Sequence, residues 1–394
     1  MDQPYLGILI ESPNQFYVPL FQYLVKEKGF RLKVFYMSRK GIEPFYHRKL
    51  KLTLKWDIPM LDGYNYEFLR NYSPIPNSQQ FFSYINLGVI DKIAKEKFDA
   101  FLIHGYAYAS CWIALLACRL NKLPVFLRGE SEDFFTRPKW KKCVRNKLLE
   151  VFLKRTTAAL YIGTYNYNFY LNHNLSKNRL FYVPYCVDNI RFNSQTEKQL
   201  SFRKKLREEL GLNNDTIVFV LASKHRADRY PLDAIRAYCL IPKELNTALL
   251  VLGDGPIRVK LESFAKENSN GRRIYFTGMV SHLVHPAYLG SCDVMIHPSS
   301  ETWGGAVSEG IAAGLAVISS DQVLGWPDMV HTGENGFVYP CHNIEALAKY
   351  ITLLAEQPVR VKEMRLASRR VSEQNDFKVC ADSIAEAINR FRRP

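Results

Sequence analysis

The chain has 394 residues, of which 47% are hydrophobic and 23% are charged. This length is typical of two domains with separate cores, and the absence of repeats excludes a solenoid or low-complexity protein. The formal net charge is +15, and residues 1–190 carry most of it, with 27 Lys and Arg against 15 Asp and Glu. Because no nucleic-acid motif accompanies this charge, it favours an anionic membrane surface or a phosphate-bearing molecule over nucleic acid as a partner.

The first half of the chain alternates between short apolar runs and helical patterns. Its opening residues, MDQPYLGILIES, lack the basic segment of a secretory signal and predict a first strand instead. The stretch 38–83, rich in Tyr, Pro and Asn, has no regular pattern and is expected to form long loops. We predict strands at 5–10, 31–37, 98–105, 124–130, 158–163 and 179–185, and helices near 17–28, 109–121 and 139–155.

The second half repeats the alternation after a polar segment, residues 188–214, that is typical of a hinge followed by a helix. Alternation of this kind indicates parallel sheets covered by helices. The predicted fold class is therefore α/β, with two Rossmann-like domains at residues 1–188 and 189–376. We predict strands at 216–224, 247–255, 273–278, 293–298 and 316–319, and helices from 231, near 257–268, at 305–314 and from about 377.

The cysteines and the longest apolar region indicate the cellular compartment of the protein. Eight cysteines occur singly, with no C-x-x-C pair, which predicts free thiols in a reducing compartment rather than a disulfide framework or a zinc site. The apolar region 101–120 is interrupted by His104, Gly105 and Arg119, so it predicts a strand and a buried helix rather than a membrane span. A cytoplasmic protein is the expectation.

Two glutamates within residues 293–321 carry the most specific signal. Glu301 follows a strand that ends at Pro298, and Glu309 lies just over one turn into the next helix, with TWGGAVS between them. Open parallel sheets bind ligands at the carboxyl ends of their strands, so Glu301 is expected at such an edge. The alternative is a loop carboxylate and a half-exposed helix residue. A carboxylate within a helix of Gly and Ala, however, needs a polar partner.

The glycines between the two glutamates fit a phosphate-bearing ligand. Gly304 and Gly305 allow a ligand to approach the backbone closely. The helix that begins there offers unpaired N–H groups and the positive end of its dipole to a phosphate. A carboxylate with two oxygens suits the neighbouring hydroxyls of a ribose or a hexose.

This pattern resembles the two-glutamate signature of retaining glycosyltransferases with the GT-B fold, family 4, also called group 1. The resemblance implies that Glu301 contacts the transferred sugar and that Glu309 binds the ribose of the nucleotide. It further implies two domains facing across a cleft, a last helix, 377–394, that returns to the first domain, and loops from 38–83 on the acceptor side. The residues between the glutamates that would contribute to the donor site are Trp303, Gly304, Gly305 and Ala306.

Two cations after the strand 216–224 suit a diphosphate. Lys224 ends this strand, and Arg229 follows five residues later, before the helix at Pro231. The family pattern has Arg first and Lys second, so the residue types are exchanged here while spacing and charge are kept. Arg226 could serve instead of either, and all three could be solvated loop charges.

Two further turns match the family pattern weakly. The turn GDGP, residues 253–256, could contact the donor through Gly253 or could be a tight strand-to-helix turn only. In the family, backbone groups at the position of residues 277–280 meet the nucleobase, which points to Gly278 and Met279.

Four further site candidates lie in the first half, namely His104 as a catalytic residue and Asn14, Arg128 and Glu130 on the acceptor side. His104 ends a strand and is either a core histidine or, as in the family, a residue that faces the donor sugar. Arg128 and Glu130 end the next strand, and a structural Arg–Glu pair is the alternative for both. Asn14 lies in the loop after the first strand, where the glycine-rich loop usual in the family is missing.

The segment 138–155 is a candidate amphipathic helix. Apolar residues at helical spacing alternate with lysines and arginines, so the segment is either a domain helix with a solvated basic side or a surface that docks on anionic lipid. The apolar residues are Trp140, Val144, Leu148, Val151 and Phe152.

The sequence therefore predicts a retaining glycosyltransferase. It would use a nucleotide-diphosphate sugar as co-substrate and a hydroxyl acceptor, such as a lipid-linked or cell-surface polysaccharide precursor. No cofactor and no metal are expected, since the chain has no Asp-x-Asp motif, and no nucleic acid is expected as a partner. A nucleotide-sugar epimerase on the same fold and a catalytically silent sugar-nucleotide-binding module are the alternatives.

Overall fold

A computed structural model describes residues 3–47, 50–54, 59–78, 80–134 and 139–392. The chain divides into two compact units. The first contains the described residues up to Phe45, Pro59–Cys186, and those from Phe377 onward. The second contains Val187–Asp376 and the described part of Tyr46–Ile58.

The first unit is an α/β unit built on a parallel sheet of seven strands, in the order β5-β2-β1-β6-β7-β8-β9. The strands up to Cys186 are β1 (Tyr5–Ile10), β2 (Arg31–Tyr36), β3 (Phe45–His47), β4 (Leu52–Leu54), β5 (Asn65–Phe68), β6 (Ala100–His104), β7 (Val125–Arg128), β8 (Ala158–Tyr161) and β9 (Leu180–Tyr182). The helices are α1 (Val18–Lys26), α2 (Gly88–Lys95), α3 (Ala109–Leu120), α4 (Lys139–Arg155) and α5 (Thr164–Asn172). Strands β3 and β4 form a separate two-stranded sheet.

The prediction of unbroken loops over 38–83 is wrong. Strand β5 lies within this stretch and pairs in parallel with β2 at the edge of the seven-stranded sheet, with Lys33 opposite Asn65. Its residues, NYEF, are exposed or half-buried, so they lack the apolar run that marks the central strands. An edge strand with one solvated side gives only a weak sequence signal.

The second unit has a six-stranded parallel sheet in the order β12-β11-β10-β13-β14-β15. Its strands are β10 (Ile217–Ala222), β11 (Thr247–Leu252), β12 (Arg273–Gly278), β13 (Val294–His297), β14 (Ala316–Ser320) and β15 (Gly336–Tyr339). The helices are α6 (Glu197–Glu209), α7 (Pro231–Leu240), α8 (Arg258–Asn268), α9 (His285–Gly290), α10 (Gly305–Ala312), α11 (Trp326–Met329), α12 (Ile344–Glu356) and α13 (Pro358–Glu373). Every residue of β10 and β11 is buried, because helices cover both faces of the sheet.

The last helix, α14 (Phe377–Phe391), belongs to the first unit. Phe391 packs edge-on against Phe126 and Phe181, with ring centroids 6.5 and 6.1 Å apart. At the other end of the helix, Phe377 contacts Tyr23 of α1. Packing of these aromatic rings ties α14 to strands β7 and β9 and to α1 of the first unit.

A buried carboxylate joins several elements at the amino edge of the second sheet. Asp293, just before β13, accepts hydrogen bonds from Arg203 at 2.8 Å, Arg365 at 2.7 Å and Arg207 at 2.8 Å. Its Oδ2 also accepts from the N–H of Val218 in β10. Burial alone would raise the pKa of Asp293, but the three arginines outweigh it and hold that pKa below its usual value.

Candidate active site

The loop that carries Glu301 is fixed by backbone hydrogen bonds at the carboxyl edge of the second sheet. The N–H of Glu301 donates to the carbonyl of Gln322 at 3.0 Å, and the N–H of Leu324 donates back to the carbonyl of Glu301 at 2.9 Å. The N–H of Gly325 reaches the carbonyl of Trp303 at 3.1 Å. The loops after β13 and β14 therefore run side by side, and Glu301 has a defined backbone position.

Both oxygens of the Glu301 carboxylate have a partner. Oε1 lies 2.5 Å from Nε2 of His297, and Oε2 lies 2.9 Å from Nη1 of Arg229. Burial alone would raise the pKa of Glu301. The hydrogen bond and charge of His297, followed by the charges of Arg229 and Lys224, outweigh burial and hold this pKa at about 2. The side chain stays 23% exposed, so an ionised carboxylate is accessible at the sheet edge.

The three cations after β10 differ in their partners. Arg229 uses Nη1 alone for Ser299, the carbonyl of Ser300 and Glu301, which leaves its Nη2 and Nε without an acceptor among the described residues. Arg226 is paired with Asp228. The ammonium of Lys224 has no ion-pair partner in the described part of the chain, and desolvation together with the charge of Arg229 lowers its pKa. Since Arg226 uses only Nη2 for Asp228 among the described residues, all three cations keep hydrogen-bonding capacity for an anion.

Helix α10 begins next to Glu301 with unpaired N–H groups. Gly304 has a φ of +106°, and a Cβ there would lie 2.6 Å from Cγ1 of Val323, so only glycine fits this turn. Within the described residues, the N–H groups of Gly305, Ala306 and Val307 have no acceptor, and the first helical bond runs from Ser308 to Gly304. This helix start can receive an anion.

Glu309 lies on α10 and points toward α9. Its Oε2 is 3.2 Å from Nε2 of His285, and the side chain is only 13% exposed. The ring of His285 packs in turn against Phe192. A polar partner therefore holds one oxygen of Glu309, as expected for a carboxylate within a helix of small residues.

The side chain of Trp303 is part of the core rather than of a ligand surface. It is 4% exposed, and its indole N–H donates to Oγ of Ser308 at 3.0 Å. A donor contact of Trp303 would therefore use its backbone, and this contact stays a prediction.

Gly253, the first glycine of the GDGP turn, allows two loops to pack closely together. Gly253 has a φ of +119°, and a Cβ there would overlap the carbonyl oxygen of Ser223. The N–H of Gly253 donates to the carbonyl of Gly278 at 2.9 Å, and the N–H of His225 donates to the carbonyl of Asp254 at 3.0 Å. The close approach that requires glycine is therefore made by protein backbone, as in the alternative of a tight turn, and the ligand contact of Gly253 stays a prediction.

Replacement of Gly253 by alanine is expected to destabilise the second unit. The substitution forces both a disfavoured backbone conformation and a clash with a carbonyl that cannot rotate away, at a cost of about 1–3 kcal/mol or more. Chemical unfolding monitored by circular dichroism would measure this. A matched control is Gly333→Ala, where φ is also positive (+89°) but a Cβ meets nothing within 4 Å. Equal stability of Gly253→Ala and wild type would contradict the packing role.

Gly278 and Met279 end β12 at the same edge. A Cβ on Gly278 would lie 2.8 Å from Nη1 of Arg258, and Arg258 is held by Asp254 and Glu262. Met279 is 51% exposed. The nearby side chain of Arg258 thus explains why position 278 is a glycine. Met279, in contrast, is exposed and available to a ligand.

In the first unit, His104 ends β6 in a buried aromatic environment. Its ring meets the ring of Tyr17 edge-on at 4.5 Å, and its Nε2 has no hydrogen-bond partner in the described residues. Burial, and next the charge of Arg128, lower the pKa of His104 well below its usual value. The imidazole is therefore neutral at physiological pH.

The other acceptor-side candidates have structural partners. Arg128 donates through Nη1 and Nη2 to the carbonyls of Val183 and Pro184 and lies over the rings of Tyr17 and Tyr185, while its buried Nε has no partner among the described residues. Glu130 accepts from the hydroxyl of Tyr185.

The side-chain oxygen of Asn14 accepts from the N–H groups of Phe16 and Tyr17 at 3.0 and 3.1 Å. It therefore stabilises the turn that precedes α1, and the acceptor-side role of Asn14 stays a prediction.

Helix α4 buries a different face from the predicted one. Leu149, Phe152 and Leu153 are buried, whereas Val144, Leu148 and Val151 are exposed. The side chains of residues 139–143, which include Trp140 and three of the lysines, lie outside the described set. The predicted apolar stripe is thus divided between core and surface.

His297 and Ser299 were not identified from the sequence, although both contact the Glu301–Arg229 pair. His297 lies at the end of an apolar strand, where a core histidine is the ordinary interpretation. Its spacing of four residues before Glu301 on an extended segment gave no reason to expect contact. The turn at Pro298–Ser300 brings the two together, and turns of this kind are hard to derive from residue patterns.

Two kinds of feature are absent from the residues that the structure describes. These residues contain no helix that combines the length and the apolar character needed to cross a bilayer. They also contain no cluster of three or more His, Cys, Asp or Glu arranged to hold a metal ion.

Comparison with known proteins agrees with the resemblance. Residues 202–371 match the family model of glycosyl transferases group 1. The chain is 26% identical over 168 residues to alpha-monoglucosyldiacylglycerol synthase of Acholeplasma laidlawii, covering 42% of this chain and 40% of the relative. It is 24% identical over 291 residues to 2-deoxystreptamine N-acetyl-D-glucosaminyltransferase of Niallia circulans, covering 70% and 72%. For the first three curated relatives, the match spans less than half of their length.

The fold is also found among solved structures. Alr3699/HepE of Anabaena, in complex with UDP, superposes with a TM-score of 0.74 at 14% identity, covering 98% of this chain and 100% of that one. The predicted GT-B fold is confirmed, and the resemblance to group 1 is confirmed for the matched residues. Membership of family 4 and retention of configuration stay predictions.

Proposed function

We propose that this chain, whose residues 202–371 form a group 1 glycosyltransferase domain, transfers a sugar from a nucleotide-diphosphate donor to a hydroxyl acceptor with retention of configuration. The observation that carries the proposal is the cluster of an ionised Glu301 with Arg229 and Lys224 beside the start of α10. This cluster combines an acceptor for sugar hydroxyls with positive groups for a diphosphate. The UDP bound to the Anabaena protein of the same fold supports a nucleotide diphosphate as the donor portion.

In this proposal, the second unit binds the donor. The diphosphate contacts the ammonium of Lys224, the unused N–H groups of Arg229, and the N–H groups at Gly305 and Ala306. Glu309 binds the ribose through its remaining oxygen, while His285 holds the other. The base lies near the exposed Met279.

The chemistry follows from where charge develops. The bond between the anomeric carbon and the diphosphate breaks, and the groups that bind the diphosphate stabilise the negative charge that grows on it. Glu301 stabilises the positive charge at the anomeric carbon. The acceptor oxygen attacks from the same face, and its proton passes to an oxygen of the departing diphosphate. The protein itself supplies the positive charge required, so neither a protein nucleophile nor a metal is part of this mechanism.

The acceptor belongs to the first unit in this proposal. The carboxyl ends of β6 and β7 carry His104 and Glu130, with a neutral imidazole and a carboxylate suited to hydroxyl groups. We infer a lipid-linked or cell-surface polysaccharide precursor as acceptor and a cytoplasmic enzyme that contacts anionic membrane through its basic first half. The name of the Acholeplasma relative, a synthase of a glycolipid, supports an acceptor with a lipid portion.

A thermal-shift screen of UDP-, GDP- and ADP-sugars, followed by incubation with hydroxyl acceptors, tests the proposal. Ligand binding stabilises the folded state in proportion to ln(1 + [L]/Kd), so the correct donor raises Tm most. Transfer with an unchanged anomeric configuration, read from the proton coupling constant of the product, is the expected result. Conversion of the donor without an acceptor would favour an epimerase, and binding with neither transfer nor hydrolysis would favour a silent module.

Replacement of Lys224 by alanine is expected to weaken UDP binding by about tenfold to a hundredfold, since one charge-assisted phosphate contact contributes about 1.5–3 kcal/mol. Because Lys224 has no partner within the described chain, the variant should unfold at the wild-type Tm. Isothermal titration with UDP measures the change. Lys243→Ala, which removes an exposed lysine ahead of β11, is the matched control, and equal affinities of the two variants would contradict the diphosphate site.

A further inference from the structure

We propose that His297 is a positioning residue for the transfer reaction: its imidazole fixes the orientation of the Glu301 carboxylate toward the transferred sugar. The inference rests on the proposed function, because it assigns a role to a neighbour of Glu301 in that same site. His297 is the last residue of β13 and is 4% exposed, and its Nε2 lies 2.5 Å from Oε1 of Glu301. Because a carboxylate only accepts hydrogen bonds, Nε2 carries the proton in this pair.

The other contacts of Glu301 do not fix the orientation of its carboxylate plane. The backbone of Glu301 is held by Gln322 and Leu324, and Oε2 is held by Arg229. One bond to Oε2 still allows the carboxylate plane to rotate about the axis through that oxygen. The second bond, from His297 to Oε1, fixes the plane and leaves one lone pair on each oxygen for the hydroxyl groups of a sugar.

The alternative is that His297 only fills space in the core. The other residues of β13, Val294, Met295 and Ile296, are all fully buried and apolar, so an apolar residue would pack at position 297 without desolvation. A buried imidazole costs free energy unless its polar atoms are bonded, and Nδ1 has no partner in the described residues. The bond from Nε2 to Glu301 is what offsets this cost.

The same bond determines when Glu301 is ionised. The charged and titratable groups that face Glu301 are His297 from β13 and Arg229 and Lys224 from the segment after β10. Burial alone raises the pKa of Glu301, and His297 is the largest of the opposing groups that hold it at about 2. Without the imidazole N–H, this pKa rises, and activity that requires the ionised form falls as pH decreases through the raised value.

Two substitutions separate positioning from packing. In His297→Gln, the side-chain amide places an N–H close to the position of Nε2, whereas in His297→Asn it lies near the position of Nδ1 and cannot reach Glu301. We expect His297→Asn to lower kcat by about tenfold to a hundredfold, less than loss of a direct transition-state contact, with an unchanged Kd for UDP. His297→Gln should keep kcat within about threefold of wild type, since one adequate hydrogen bond remains.

The measurements are kcat for transfer or donor hydrolysis, Kd for UDP by titration, and Tm. His331→Asn, at a half-exposed histidine paired with Glu334, is the surface control and should match wild type.

Several outcomes would overturn the inference. His297→Asn with the kcat of His297→Gln, or equal losses of kcat, UDP affinity and Tm in both variants, would reduce His297 to a packing residue. These results differ from failure of the proposed function, in which Glu301→Gln itself would keep normal turnover and the site as a whole would be assigned wrongly.

Discussion

Replacement of Glu301 by glutamine is expected to lower kcat by about 10²–10³, equivalent to about 2.7–4 kcal/mol of transition-state stabilisation. The substitution keeps the size of the side chain and an oxygen that can accept from His297. It removes the negative charge that opposes Arg229 and Lys224. The loss therefore falls on the step in which positive charge develops at the anomeric carbon.

The affinity of Glu301→Gln for the nucleotide should not fall together with kcat. Glu301 neutralises part of the positive potential beside the helix start, so its removal leaves Arg229 free to contact a diphosphate with more of its N–H groups. We expect UDP to bind to Glu301→Gln at least as tightly as to wild type. A drop in kcat together with unchanged or stronger UDP binding distinguishes a catalytic role from general damage to the site.

The control for this prediction is Glu334→Gln, at an exposed glutamate whose carboxylate lies 3.6 Å from Nδ1 of His331. Its kcat and Kd should equal those of wild type. The fold of Glu301→Gln should be intact by circular dichroism, since the side chain is partly exposed and water can replace lost hydrogen bonds. Normal turnover by Glu301→Gln would remove the central residue of the proposed site.

The sequence predicted the elements that an apolar run or a proline marks. The strand from 247 and the helix from 231 begin where predicted, and the half-buried edge strand at 273–278 was also found because RIYF is largely apolar. Strand β5 was missed because NYEF is polar and lies at a sheet edge. In α4, the apolar spacing was real, but the sequence does not tell which of two overlapping stripes the sheet covers.

The features of the candidate site could likewise be predicted from the sequence only in part. The positions of Glu301, Arg229 and Lys224 on neighbouring strand ends follow from the topology of a parallel sheet, so their proximity was predictable. The roles of glycines and of Trp303 were not, because a positive φ serves a ligand and a neighbouring carbonyl equally well. His297 shows a further limit: its bond to Glu301 depends on the path of a four-residue turn.

The second large effect is expected for Asp293→Asn, which should destabilise the second unit by about 3–5 kcal/mol. The substitution leaves Arg203, Arg207 and Arg365 close together with no negative charge between them. The side chains of Asp293 and Arg207 are each 6% exposed, so water cannot replace the lost ion pairs. Removal of one member of a buried charge cluster costs more than removal of the whole cluster.

The effect should also depend on pH. Since the folded-state pKa of Asp293 lies below its usual value, its contribution to stability is fully present above the ordinary pKa of Asp, about 3.9. This contribution is lost as pH falls through the lowered pKa. Urea unfolding should therefore show a large difference between wild type and Asp293→Asn at pH 7 that shrinks in acid.

Asp215→Asn is the matched control, because Asp215 is an exposed aspartate just ahead of β10 in the same unit. Its removal changes the net charge equally and should shift the unfolding free energy by less than about 0.5 kcal/mol. Since Asp293 lies at the amino edge of the sheet and Glu301 follows the carboxyl end of β13, Asp293→Asn should keep wild-type kcat at temperatures where it is folded. Loss of kcat in the folded variant would mean that the arginine cluster at one end of β13 sets the geometry of the loop at the other.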